Sequence, residues 1–295
     1  MCYLLIGIIL LILLVIITIK NRKKIENFDM GTYQSPNNNI LVPSISNVKA
    51  YIAVVRHGTR FPTKKVYDKL ETKIQTQIPI EEIGNLTSRG FQEMIEYGQQ
   101  LVLKYPHIFL RPERYLAFST SVYRAKQSAQ ACLMGIGNKD DYHWGPQIDR
   151  ILKIEKFFIK EPTNPNVVSC QFAKLMGFNT DGCFKENISL YEQRKNNNTV
   201  RSMIERKDKA FPLYNILLDL IQVCIREKNP HGYLFFAHDS TLAPLLYLFG
   251  FIDINNYNNR DWLPFGARLE ILITYNYEIL YFVNGLFKKS TRITN

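Results

Sequence analysis

A short apolar run that ends in two arginines and a histidine constrains this chain more than any other feature. Tyr51-Ile52-Ala53-Val54-Val55 is β-branched in character and free of charge, the pattern of a strand buried on both faces of a parallel sheet. Arg56-His57-Gly58-Thr59-Arg60-Phe61-Pro62 follows at once. Two guanidiniums and an imidazole are thus delivered to the carboxyl end of a strand, where open α/β sheets place their ligand crevice. Arginine presents a planar fork that matches phosphate oxygens, and an imidazole held between two such forks is placed to attack the phosphorus. Five specified residues match by chance in about one chain in 10⁴ of this length. A merely solvated basic turn is therefore a poor explanation.

Two further strand ends point the same way. Gly232-Tyr233-Leu234-Phe235-Phe236-Ala237 reads as a buried strand and runs into His238-Asp239-Ser240-Thr241. Tyr115-Leu116-Ala117-Phe118 reads as another, followed by a helix from about Val122 to Met134 with Thr120 or Ser121 available as its N-cap. Arg124 sits one turn into that helix, so its guanidinium can join Arg56 and Arg60. Elsewhere, residues 88–104 carry Phe91, Met94, Ile95, Tyr97, Leu101 and Val102 at helical spacing behind Thr87 as N-cap. Pro212 opens a helix over 212–227, and 269–283 reads as a hairpin around Asn276.

The heptapeptide resembles the signature of the histidine acid phosphatases, Arg-His-Gly-x-Arg-x-Pro, and the late His238-Asp239 resembles their second element. Shorter stretches resemble one branch, the multiple inositol polyphosphate phosphatases. These are Phe61-Pro62-Thr63, Leu86-Thr87 with Gly90, Thr120-Ser121 with Arg124 and Ser128-Ala129, Val168-Ser169-Cys170-Gln171-Phe172, and Pro264-Phe265-Gly266-Ala267-Arg268-Leu269. The resemblance is spread over roughly residues 28–287. It implies that His57 is transiently phosphorylated, that Arg124 is the third phosphate-binding arginine beside Arg56 and Arg60, and that His238 completes the phosphate pocket. Two departures stand out. That branch usually carries His-Ala-Glu where this chain has His238-Asp239, so the acid lies one residue closer and is one methylene shorter. The stretch from Gly182 to Phe211 is trimmed where a helical cap would lie.

The expected fold is α/β, an open, mainly parallel Rossmann-like sheet flanked by helices, with a small inserted helical cap. Residues 47–134 and 211–287 make the phosphatase core and 135–210 the insertion, after a polar stem over 20–46. With 295 residues, 46% of them hydrophobic, the chain can bury a large core. The formal charge is +11, of which Lys20, Arg22, Lys23 and Lys24 supply +4, leaving +7 on the rest. A basic body raises the local concentration of a polyanionic substrate. Nucleic acid is the rival partner, but no recognition motif accompanies the dispersed basic residues.

Residues 2–19 are almost wholly apolar and end at Lys20, just long enough to span a membrane. No small-x-small cleavage site follows, which favours an uncleaved signal anchor and membrane association through residues 2–19 over a removed signal peptide. The positive flank after the span would leave the body cytosolic. The sequons at Asn85, Asn187 and Asn197 and the resemblance argue instead for the endoplasmic reticulum lumen or the exterior. Cys132, Cys170, Cys183 and Cys224 fit two disulfides or four buried thiols equally well.

The chemistry follows from these roles. His57 takes the phosphoryl group, Asp239 protonates the departing alcohol as general acid, and water cleaves the phosphohistidine. Asp239 opens a helical stretch, which favours its charged form, while bound phosphate and apolar Phe235 and Phe236 push the other way. Glu270 and Asp181 are the next carboxylates to consider. The reaction requires no metal or cofactor, and the chain offers no ligand cluster at metal spacing. Three readings stay open. The first is an inositol polyphosphate phosphatase, phytase-like, with related bisphosphoglycerate activity. The second is a broad-specificity acid phosphatase, and the third a catalytically inactive, membrane-tethered phosphate-binding protein. A phosphoglycerate mutase-like transferase fits the Arg60-x-Pro62 extension and the late His-Asp poorly.

Overall fold

The computed structural model describes residues 47–138, 142–154, 204–252 and 263–292. The strands are β1 (Val48–Arg56), β2 (Tyr115–Ser119), β3 (Tyr142–His143), β4 (His231–Ala237), β5 (Arg268–Thr274), β6 (Glu278–Val283) and β7 (Leu286–Arg292). They form one mixed sheet in the order β3-β2-β4-β1-β5-β6-β7. The first four in that order run parallel, and β5, β6 and β7 continue it antiparallel. This is the expected α/β sheet with a parallel core, extended on one side by a meander.

Among the described residues the longer helices are α1 (Ser88–Lys104), α2 (Tyr123–Ile136), α3 (Pro146–Leu152), α4 (Phe211–Arg226) and α5 (Asp239–Leu248). They cover both faces of the sheet, and for that reason β1 has no polar face. Ala50, Ile52 and Val54 point into one layer with Leu213, Leu217 and Leu220 of α4 and Leu242 and Leu245 of α5. Tyr51, Ala53 and Val55 point into the other with Met94, Tyr97 and Leu101 of α1 and Leu133 of α2. Each such aliphatic side chain contributes about 1.5–3 kcal/mol by leaving water, so the register of β1, and the place where it ends, is firmly set.

α1 begins as expected: the Thr87 hydroxyl accepts the Gly90 N–H at 3.0 Å. It meets α2 at two glycines whose backbones nearly touch. A Cβ on Gly98 would lie 2.0 Å from the Cys132 carbonyl oxygen, and one on Gly135 2.1 Å from that of Ile95.

Three features differ from the sequence reading. β7 was not anticipated, although its signal is present: Asn284 (φ 52°) and Gly285 (φ 76°) form the two-residue, left-handed turn that joins antiparallel strands. β3 and α3, read as part of the inserted region, extend the sheet edge and cover it. Neither Thr120 nor Ser121 caps α2; Val122 stands at that position without a side-chain bond.

Cys132 and Cys224 are buried free thiols in opposite core layers, which rules out the pairing of all four body cysteines. Burial pushes the Cys224 thiol up to about 12. Residues 1–19, the stem over 20–46, the bulk of the expected insertion, Cys170, Cys183, Asp181 and the sequons at Asn187 and Asn197 lie outside the described residues. Among the described residues no helix is long and apolar enough to cross a membrane.

Candidate active site

The parallel strands β1, β4 and β2 deliver the six expected side chains to one sheet edge. β1 and β4 end in register, Arg56 beside Ala237, and backbone bonds then stitch the loops together. His57 N–H donates to the Ala237 carbonyl at 3.1 Å, Arg56 N–H to that of Ala267 at 2.7 Å, and Gly266 N–H to that of His57 at 3.1 Å. Gly58 N–H donates to the Ser128 hydroxyl of α2 at 3.1 Å. The motif loop also lies against the first turn of α1, where a Cβ on Gly90 would come within 1.9 Å of the Thr59 carbonyl oxygen. Glycine at 90 is a packing requirement of this site.

His57 is 2% exposed, and its two ring nitrogens are fixed in different roles. Nδ1 lies 3.0 Å from the Gly58 carbonyl oxygen, which can only accept, so Nδ1 carries the proton. Nε2 then bears the lone pair, and Arg124 Nε–H donates to it at 3.0 Å. Burial holds the ring pKa well below the usual histidine range, with His238, Arg60, Arg56 and Arg124 adding repulsion in that order. A neutral imidazole with its lone-pair nitrogen beside a cation therefore persists into acid.

Arg60 and Arg56 join Arg124 close enough to the ring to repel its charge, and each of the three guanidiniums is itself perturbed by burial. Burial lowers the pKa of Arg60 to about 9, helped by Arg124 and Arg56 and opposed by Asp239. Burial likewise lowers Arg56 and Arg124. Arg56 reaches Asp239 (Nη2 to Oδ2, 3.3 Å), donates to the Leu263 carbonyl, and lies 4.3 Å from the Phe265 ring centroid. Arg60 donates to the Phe61 carbonyl at 2.8 Å and stands 5.8 Å from the same ring. A phosphate dianion placed here relieves the mutual repulsion, which is what an anion site built from arginines can do.

His238 and Asp239 close the far side. The His238 ring lies 5.4 Å from that of His57, edge to face, and its Nε2 is 3.0 Å from the Thr120 hydroxyl. Asp239 is the first residue of α5 and accepts the Ser240 N–H at 2.9 Å, as a carboxylate at a helix start does. Glu270 is committed elsewhere: it accepts the Tyr51 hydroxyl at 2.6 Å and pairs with Arg268 at 3.2 Å.

Sequence reasoning missed Thr120 as the partner of His238 and Phe265 as the ring against both arginines. Thr120 looked like a helix cap, and Phe265 stood only within a stretch of resemblance. Their contacts arise between distant strand ends and leave no local signal. Among the described residues no group of His, Cys, Asp or Glu is arranged to hold a metal ion.

The sequence model of the histidine phosphatase superfamily (branch 2) matches residues 47–161. No curated protein matches the chain. Among solved structures, the apo multiple inositol polyphosphate phosphatase of Bifidobacterium longum is similar at a TM-score of 0.62 and 12% identity, covering 87% of this chain and 89% of that one. Its complex with inositol hexasulfate gives 0.54 and 13%, over 88% and 90%. The Hafnia alvei phytase in complex with tartrate gives 0.52 and 10%, over 80% and 84%. At these identities the likeness establishes the shared fold.

Proposed function

We propose that the chain is a phosphomonoester hydrolase of the histidine phosphatase type, working through a phosphohistidine at His57 and acting on inositol polyphosphates. The observation that carries this reading is the state of the His57 ring, protonated at Nδ1, with the Nε2 lone pair facing the guanidinium of Arg124 and the charges of Arg56 and Arg60 close by. A substrate phosphate entering among them takes up the Arg124 N–H that now meets Nε2 and draws Arg56 away from Asp239. His57 Nε2 attacks phosphorus as the bond to the leaving oxygen breaks. Asp239 gives that oxygen its proton, and the Gly58 carbonyl stabilises the ring's developing positive charge. Asp239 then takes a proton from water, whose oxygen attacks phosphorus, and the N–P bond breaks to free His57 and inorganic phosphate.

The family match over residues 47–161 supports the reaction type, and the fold shared with the Bifidobacterium phosphatase supports the substrate class. The shorter acid, Asp239 in place of glutamate, favours a second reading, a broad-specificity acid phosphatase. The lumenal or extracellular compartment, as a proposal, rests on residues 2–19 and the resemblance. The Asn85 sequon lends it little, because Thr87 is buried as the cap of α1.

Phosphate release by the purified protein from inositol hexakisphosphate, a bisphosphoglycerate and p-nitrophenyl phosphate tests the proposal. The highest kcat/KM on the inositol phosphate is expected. Turnover of the aryl ester alone would select the broader enzyme, and turnover of none would select the inactive binding protein.

A further inference from the structure

Two carboxylates outside the cluster of guanidiniums hold its two loops by one device. Glu93, inside α1, takes the Thr59 N–H at 3.2 Å and the Thr59 hydroxyl at 2.9 Å on Oε2, with Oε1 3.1 Å from the same hydroxyl. Thr59 is the residue before Arg60. Asp149, in α3, takes the Ser121 N–H at 2.7 Å on one oxygen and the Ser121 hydroxyl on the other. Ser121 follows Thr120, which meets His238, and precedes Arg124, which meets His57. Gripping a residue by both main-chain N–H and side-chain hydroxyl fixes its peptide plane and its χ1 together. A carboxylate in the first turn of a helix is ordinarily spent on that helix's own N–H groups, yet both Asp149 oxygens are turned to Ser121.

We propose that Asp149 and Glu93 are positioning residues for phosphoryl transfer. Asp149 sets Arg124 and, through Thr120, His238 against His57, and Glu93 sets Arg60 against it. The inference rests on the phosphohistidine reading. Strand-end loops carry these groups, and a displacement of 1 Å at a reacting centre costs about 10²-fold in rate.

Steady-state kinetics on p-nitrophenyl phosphate, calorimetric binding of inorganic phosphate and thermal melts of the whole protein test it. Asp149→Ala should lower kcat by about tenfold to a hundredfold and weaken phosphate binding. Asp149→Asn can accept the Ser121 N–H and donate to its hydroxyl, so it should stay within about threefold of wild type, since neutral hydrogen bonds preserve the geometry. In an Arg124→Ala background, Asp149→Ala should cost less than about threefold, because residues acting as a unit are not additive. Glu93 should show the same pattern: a loss in Glu93→Ala, near wild-type rates in Glu93→Gln, and little further loss when Glu93→Ala is added to Arg60→Ala. Unchanged kcat in the alanine variants, equal impairment by the amides, or fully multiplicative losses would overturn the proposal. A wild type without turnover, whose phosphate binding Asp149→Ala still weakens, would sink the enzymatic reading and keep the grip. Absence of both turnover and phosphate binding in the wild type would overturn both.

Discussion

The buried, neutral His57 makes a stability prediction that needs no substrate. Its folded pKa lies well below the ordinary 6.5, mainly through burial and then through His238 and the three arginines. Between that depressed value and 6.5 the unfolded chain binds a proton that the folded one refuses, so stability falls as the pH is lowered through this window. The slope for one proton is about 1.4 kcal/mol per pH unit. The loss attributable to His57 approaches that slope over the part of the window in which the folded ring stays neutral. His57→Gln retains a donor for the Gly58 carbonyl and an acceptor for Arg124 but cannot titrate. Urea unfolding of both proteins in phosphate-free buffer should give a stability difference that is flat above about pH 7. Below it the wild type should lose ground to the variant, by up to about 1.4 kcal/mol per pH unit. A difference independent of pH would mean that His57 is not held neutral. The assignment of Nε2 as a free nucleophile in acid would then fall with it.

Four further expectations follow from the geometry. Arg124→Ala and Arg60→Ala should each lower kcat by about 10²-fold or more, as removal of one charge-stabilising donor does; a loss under about tenfold would put Arg124 outside the pocket. Asp239→Asn should slow inositol phosphates far more than p-nitrophenyl phosphate, because only the basic alkoxide needs a delivered proton. Equal losses with a lowered melting temperature would reduce Asp239 to a helix-start residue worth about 1 kcal/mol. Gly90→Ala would force a methyl against the Thr59 carbonyl and should cost about 1–3 kcal/mol in stability, together with activity; an unperturbed melt would contradict that contact.

The parts of this molecule that could be read from sequence are those whose causes are local. The strand β1 announces itself by uninterrupted burial, α1 by its period and Thr87, and the expected site residues by following apolar strands. The Asn284-Gly285 turn is equally local, but Leu286–Arg292 runs from two apolar residues into five polar ones with no buried position, as an edge strand can, and so carries no period-2 signal. β3 is two residues long and offers no periodicity at all. What remained hidden is tertiary: Ser121 and Thr120 carry the chemistry of a helix cap, and only the neighbouring helix α3 and the end of β4 decide that their hydroxyls go to Asp149 and His238. The same holds for the ion pair of Arg56 with Asp239, which joins two motifs that lie 183 positions apart in the sequence.

The central claim is that His57 Nε2 becomes covalently phosphorylated. Rapid acid-free quenching of the wild-type protein with ³²P-labelled substrate should trap an acid-labile, base-stable phosphoprotein. Its label should map to His57, and His57→Ala should trap none while still binding phosphate through Arg56, Arg60 and Arg124. Label recovered on serine or cysteine, or undiminished turnover by His57→Ala, would contradict the account.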